Sequence, residues 1–145
     1  MGDQIAVLET ERGRIVCCDS AYDARGENRD RDIVVNSSYS GVLPARFVAE
    51  HHPRGAIGMD CAVGPEGSAI AGLWFYEGAG IPAATADVMT AHLGDGVHLY
   101  EHGIISHRNE LAASCGVEVG MTVKDAAAAL LANDPDSRAA AAITN

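Results

Sequence analysis

The sequence predicts an α/β fold: one compact domain with a mostly parallel sheet, flanking helices and an appended hairpin. Three observations predict it. Short apolar runs alternate with helix-length segments through the middle of the chain, each run closes on small or polar residues, and prolines fall at the starts of the helical segments. A chain of 145 residues suits a single domain, 1–145. At this size a chain buries about 70% of its unfolded surface and needs no disulfide or metal staple.

Residues 4–8 (QIAVL) and 14–18 (RIVCC) flank the charged turn ETERG and read as a hairpin or a pair of neighbouring strands. The stretch 19–32 carries eight charged residues and almost nothing to bury, so it reads as a surface loop. Three units follow: IVVNSSYSG with VLPARFVAEHH, RGAIGMDCAVG with PEGSAIAGLWFYEGAG, and IPAATADVMTAHLGDG. This is a β-α-β-α-β order, and right-handed crossovers make such strands parallel. Pro44 sits early in the first helical segment and Pro65 just before the second, where a missing N–H costs least. Beyond them VHLY-EHG-IISH reads as a hairpin with Gly103 in its loop. In GVEVGMTVKDAAAALLAND, Thr122 caps a helix through Ala126 to Leu131. Residues 133–145 are polar and then alanine-rich, an expected frayed tail.

Composition narrows the function classes. With two Phe, one Trp and four Tyr, the core must come from Ala, Val, Ile and Leu. A formal charge of -10 repels phosphate backbones and anionic lipid, so neither nucleic acid nor a membrane is an expected partner. The N-terminus has charges throughout and no apolar core, and no stretch reaches a membrane-spanning length. Cys17, Cys18, Cys61 and Cys115 have no C-x-x-C spacing. Adjacent Cys17 and Cys18 would face opposite sides of a strand, so the chain reads as cytoplasmic with reduced thiols. The glycine-rich stretches lack the G-x-G-x-x-G order and a phosphate-loop lysine, so no nucleotide cofactor is expected. Lys124 is the one lysine.

Ligands in open α/β sheets bind beyond the carboxyl ends of the strands. Three ends are rich in chemistry. The first is Asn36-Ser37-Ser38-Tyr39-Ser40, where hydroxyls and helix-start amides can hold a carbonyl oxygen. The second is Asp60-Cys61, continuing to Glu66 and Ser68; Asp60 closes an apolar strand and suits acid or base work, and Cys61 is a candidate nucleophile. The third runs from Asp87 through Thr90 to His92, pairing a carboxylate with an imidazole that exchanges protons near neutral pH. Asp60 and Asp87 also form a two-carboxylate set that would suit Mg²⁺; no other cofactor is expected. The adjacent aromatics Trp74, Phe75 and Tyr76 cannot share one helix face, so at least one should meet another element or a subunit, which favours a homo-oligomer.

The strand AIGMD, the turn AVGPEGS, the helix ending GAGIPAAT and the stretch LGDGVHLYEHGIIS together resemble the swivelling β/β/α domain of phosphotransferases, over about a third of the chain. Glu66-Gly67-Ser68-Ala69 stand where that family carries its phospho-accepting histidine, so the resemblance implies the fold and not histidine phosphorylation. AIGMDCAVG with IPAATADVMT is also similar to the RraA-like group, whose metal-proximal Arg-Asp pair is replaced here by Ala62-Val63-Gly64.

The expected function is a small metabolic enzyme, a hydrolase, lyase or isomerase acting on a compact carbonyl or amide substrate. Asp60 and Asp87 would be acid, base or metal ligand, His92 the proton shuttle, and Ser38 with Ser40 the oxyanion holders. The alternatives are a non-catalytic swivelling subunit that completes a partner enzyme, and a thiol hydrolase built on Cys61.

Overall fold

The computed structural model describes residues 3–60 and 70–135. Strands β1 (Ile5–Thr10) and β2 (Gly13–Cys18) form the antiparallel hairpin expected around the charged turn. Then come β3 (Ile33–Tyr39), α1 (Val42–Glu50), β4 (Gly55–Met59), α2 (Gly72–Gly78) and β5 (Ala83–Ala86). The chain ends with α3 (Gly96–His102), β6 (Ile105–Arg108), α4 (Glu110–Ser114) and α5 (Val123–Ala132). The six strands lie in sequence order, β1 to β6. The inner pairings β2–β3, β3–β4 and β4–β5 are parallel, and the outer two are antiparallel. The mostly parallel α/β sheet is therefore as predicted.

Strand residues alternate between two buried faces, which is why the inner strands read as continuous apolar runs. Val16, Val34, Ala56 and Ala83 lie under α1 and α2, against Val48 and Leu73. Ile15, Ile33, Ile57 and Ala84 lie under α3 and α5, against Leu99 and Leu130. The small residues permit very close layers. Gly96, at the start of α3, rests on the backbone of Cys18, where a Cβ would overlap the carbonyl oxygen. Thr122 caps α5 by accepting the Asp125 N–H, as its position in the sequence predicts. α5 spans β2, β3 and β4. The first residues of the expected frayed tail are tied down: Asn133 Nδ2 donates to Cys115 O, and Asp134 pairs with Arg12 and Arg54. The rest of the tail lies outside the described residues. Among the described residues no helix is long and apolar enough to cross a membrane.

Two expectations are corrected. VHLYEH is not the first arm of a hairpin but helix α3: Asp95 Oδ1 accepts the His98 N–H as its N-cap, and Gly103 closes it. Only IISH keeps its strand, as β6 beside β5. Stretch 19–32 is likewise more than a surface loop, because Asn28 and Asp32 are completely buried. Asp32 accepts paired hydrogen bonds from Arg14 and Arg31 and a third contact from Asn28 Nδ2. Asn28 in turn bonds Gln4, which draws the N-terminus into the same network. The charges that made the segment look solvated are the groups that fold it.

Cys17 and Cys18 do point to opposite faces of β2. Burial pushes each thiol up to about 12, and it raises Cys115 as well. The thiolate is the reactive form, so these three thiols are expected to resist iodoacetamide in the folded protein. Peptide mapping after alkylation at neutral pH should find no label on Cys17, Cys18 or Cys115. Label on Cys17 or Cys18 without denaturant would contradict their burial.

Candidate functional site

β3, β4 and β5 run parallel, so their carboxyl ends share one edge and carry the predicted polar groups. The alternation of side chains then divides those groups between the two faces. Ser37 belongs to the α3 side: its Oγ donates to His92 O at 3.0 Å and accepts the Gly94 N–H at 2.8 Å, pinning the 92–94 loop. Ser38 Oγ accepts the Ala21 N–H at 2.8 Å, and Asn36 Nδ2 donates to Ile57 O at 3.2 Å. Ser40 is buried against Gly58, whose missing side chain leaves room for its hydroxyl. Tyr39 is part exposed at the strand end. Of the two hydroxyls predicted to hold an oxyanion, that of Ser38 instead ties β3 to Ala21, and that of Ser40 is packed against Gly58.

The third end separates in the same way. Asp87 caps a short 3₁₀ turn, Val88–Thr90, by accepting the Met89 N–H at 2.9 Å. Thr90 Oγ1 donates to Asp87 O and accepts the Ile104 N–H. His92 stacks on His98 with ring centroids 3.8 Å apart and planes 8° from parallel, and His102 follows at 4.4 Å. No hydrogen bond or ion pair joins Asp87 to His92. Among the described residues no three His, Cys, Asp or Glu side chains gather as metal ligands. Cys61, Glu66 and Ser68 lie outside the described residues.

Asp60 has different company. It follows β4, is 4% exposed, and its Oδ1 accepts the Val88 N–H at 3.1 Å. Its Oδ2 lies 3.9 Å from His107 Nδ1, an ion-pair separation just beyond hydrogen-bond reach. His107 comes from β6, where the register against β5 shifts between Thr85 and Ala86. A bulge of this kind re-aims side chains, and here it brings Ser106 and His107 together beside Thr85. His107 Nδ1 lies 3.1 Å from Ser106 Oγ and 3.5 Å from Thr85 Oγ1, and the two hydroxyls are 3.1 Å apart. Nδ1 is therefore held by two hydroxyls, with the carboxylate at ion-pair distance beyond them. Its Nε2 makes no hydrogen bond to any described residue, and the side chain is 36% exposed.

His107 lines a cleft of about 210 Å³ with Trp74, Ile70, Arg108 and Val119. Larger hollows exist elsewhere: about 470 Å³ between the outer faces of α1 and α2, and about 400 Å³ between the β1–β2 turn and α5. Neither of these is lined by a histidine. A further hollow of about 230 Å³ holds His52 3.2 Å from Asp30, but its Nε2 is taken up by Ala79 O at 3.2 Å, whereas the Nε2 of His107 is unbonded among the described residues.

The floor under His107 is fastened by Asn109, which is 5% exposed. Its Oδ1 accepts the Ala83 and Ala112 N–H groups, and its Nδ2 donates to Leu73 O and Ile81 O. Glu77 Oε1 adds a bond from the Leu111 N–H. Asn109→Ala strips four buried backbone groups of their partner and should cost about 2–4 kcal/mol. A drop in the urea midpoint with unchanged slope is the expected reading. A change within error would mean that water replaces the amide.

Sequence reading found Asp60 but missed Thr85, Ser106 and His107. The available signal was a threonine inside an otherwise alanine strand and a Ser-His pair closing an apolar run. The expected hairpin set IISH against VHLY instead of β5, and so hid His107. Compared with protein-family models, with curated proteins and with solved structures, the chain matches none.

Proposed function

We propose that the chain is a small enzyme moving protons on a compact carbonyl or amide substrate, by hydrolysis, lyase chemistry or isomerisation. The observation that carries this reading is the oriented imidazole: Ser106, Thr85 and, farther off, Asp60 surround Nδ1 of His107, Nε2 makes no hydrogen bond to a described residue, and the side chain lines the cleft. A base held by a third group, with its other nitrogen open to substrate, is the arrangement general acid–base catalysis requires. His107 takes the shuttle role expected of His92. Asp60 keeps a role as the buried carboxylate that orients the ring and steadies its protonated form. A gap of 3.9 Å between them suits a site that tightens when substrate excludes water.

The test is a thermal-shift screen against small ketones, amides and carboxylates, followed by turnover assays on each hit. A ligand at a hundred times its dissociation constant stabilises a fold by about 2.7 kcal/mol. The expected result is a hit whose turnover disappears in His107→Gln while its binding remains. Turnover that survives this replacement would overturn the reading.

A second reading, a subunit of a larger assembly, draws support from Leu43, Phe75 and Trp74, which stay exposed on α1 and α2 while Tyr76 is buried. Light scattering separates the two: a monomer with turnover leaves that face without a subunit role.

A further inference from the structure

We infer that the cleft beside His107 takes a small planar monocarboxylate, gripped by Arg108 and stacked on Trp74. The inference rests on the acid–base reading and names its substrate class. Its first support is the state of Arg108. Arg12, Arg14, Arg25, Arg31 and Arg54 all reach carboxylates within the chain. Arg108 lines the cleft and makes no ion pair or hydrogen bond to any described residue. Arg46 is likewise without such a bond among the described residues, but the hollow it lines holds no histidine, whereas Arg108 shares its cleft with His107. A group bound to Arg108 in that cleft therefore lies near the imidazole.

The second support is Trp74, the chain's one tryptophan, which is 73% exposed and lines the same cleft. Val119, on the cleft wall, is also exposed. An indole face and aliphatic side chains around a cationic fork offer a flat apolar ligand its stacking surface, with one charged end. The cleft, at about 210 Å³, is below the size that encloses drug-sized ligands, which limits the substrate to a compact molecule.

The charge of the ligand follows from what surrounds the arginine. A single guanidinium forms a two-pronged match to one carboxylate. Glu110 and Glu118 stand in the flanking segments, Glu118 beside Val119, and they oppose a second negative charge. A monocarboxylate therefore fits better than a phosphate dianion.

Trp74 reports on the site directly, because no other indole contributes to the emission. The experiment titrates the full chain with benzoate, following tryptophan fluorescence, with benzamide and inorganic phosphate as matched controls. Benzoate should give a saturable change at millimolar concentration or below, and both controls should bind at least about tenfold more weakly. Arg108→Ala should weaken benzoate by about tenfold or more, and Arg108→Lys should restore only part of it. No saturable response to benzoate, or a response untouched by Arg108→Ala in a variant with the parent's circular dichroism, overturns the inference. Arg108-dependent benzoate binding without any His107-dependent turnover would sink the acid–base reading and leave this site standing. His107-dependent turnover of an uncharged substrate, with benzoate silent, would do the reverse.

Discussion

Asp32→Ala is expected to lower stability by about 3 kcal/mol, and the melting temperature by about 10 °C. The carboxylate is wholly buried and accepts from Arg14, Arg31 and Asn28. Removing it leaves a guanidinium and an amide with no acceptor, and breaking a buried pair from one side costs about 3–5 kcal/mol. The lower end applies because Arg31 is nearly half exposed and regains water. The pH dependence has a definite sign. Burial alone would raise the Asp32 carboxyl, but bonds from Arg14, Asn28 and Arg31 outweigh it and hold the folded value below the usual carboxylate range. The stabilisation is therefore complete above the unfolded value of about 4 and is lost as pH falls through the lower folded value. Urea melts of the parent and Asp32→Asn should differ most near neutrality and converge as pH drops toward about 2. A gap that stays constant across that range would show that the charge of Asp32 is not what stabilises the segment.

His107→Ala should lower kcat by about 10²–10⁴-fold on the substrate found in the screen, the usual contribution of a positioned acid or base. Its fold should be unaffected, since the ring is part exposed and shares its contacts with two hydroxyls that also bond each other. Asp60→Asn should give a smaller loss, with a displaced pH profile, because the carboxylate acts through the imidazole. It keeps an acceptor for the Val88 N–H. His92→Ala is the decisive comparison. Should that variant carry the loss instead, the shuttle lies in the histidine stack and the sequence-based choice was the right one.

Much of the fold was legible because its signals are local. The apolar runs ending at Cys18, Met59 and Ala86, the cap at Thr122 and Pro44 in the first turn of α1 each act within a few residues, while Pro65 lies outside the described residues. Segment 19–32 was misread because composition cannot show that eight charges satisfy one another around Asp32. The VHLY stretch was misread because alternation over four residues fits a strand, and a seven-residue helix is too short to display its own period; Asp95 and Gly103 were the signals to weigh. The site was harder for a different reason. That three strand ends share an edge follows from parallel order, but which side chains meet depends on the bulge in β6. A one-residue slip there decides whether His107 approaches Asp60 or turns away.

The winding of the sheet also bears on how the chain is made. Strands laid down in sequence order find their partners as they emerge, and the α1–α2 side is roofed once Gly78 has left the ribosome. Across the sheet Ile15, Ile33 and Ile57 wait for α5, more than forty residues later. Until α5 emerges, α3 covers only part of this side, and the rest of its greasy surface is open to chaperones or to other copies. α5 closes that side, so a product ending before Val123 would leave the ribosome with one side finished and the other covered by α3 but not by α5.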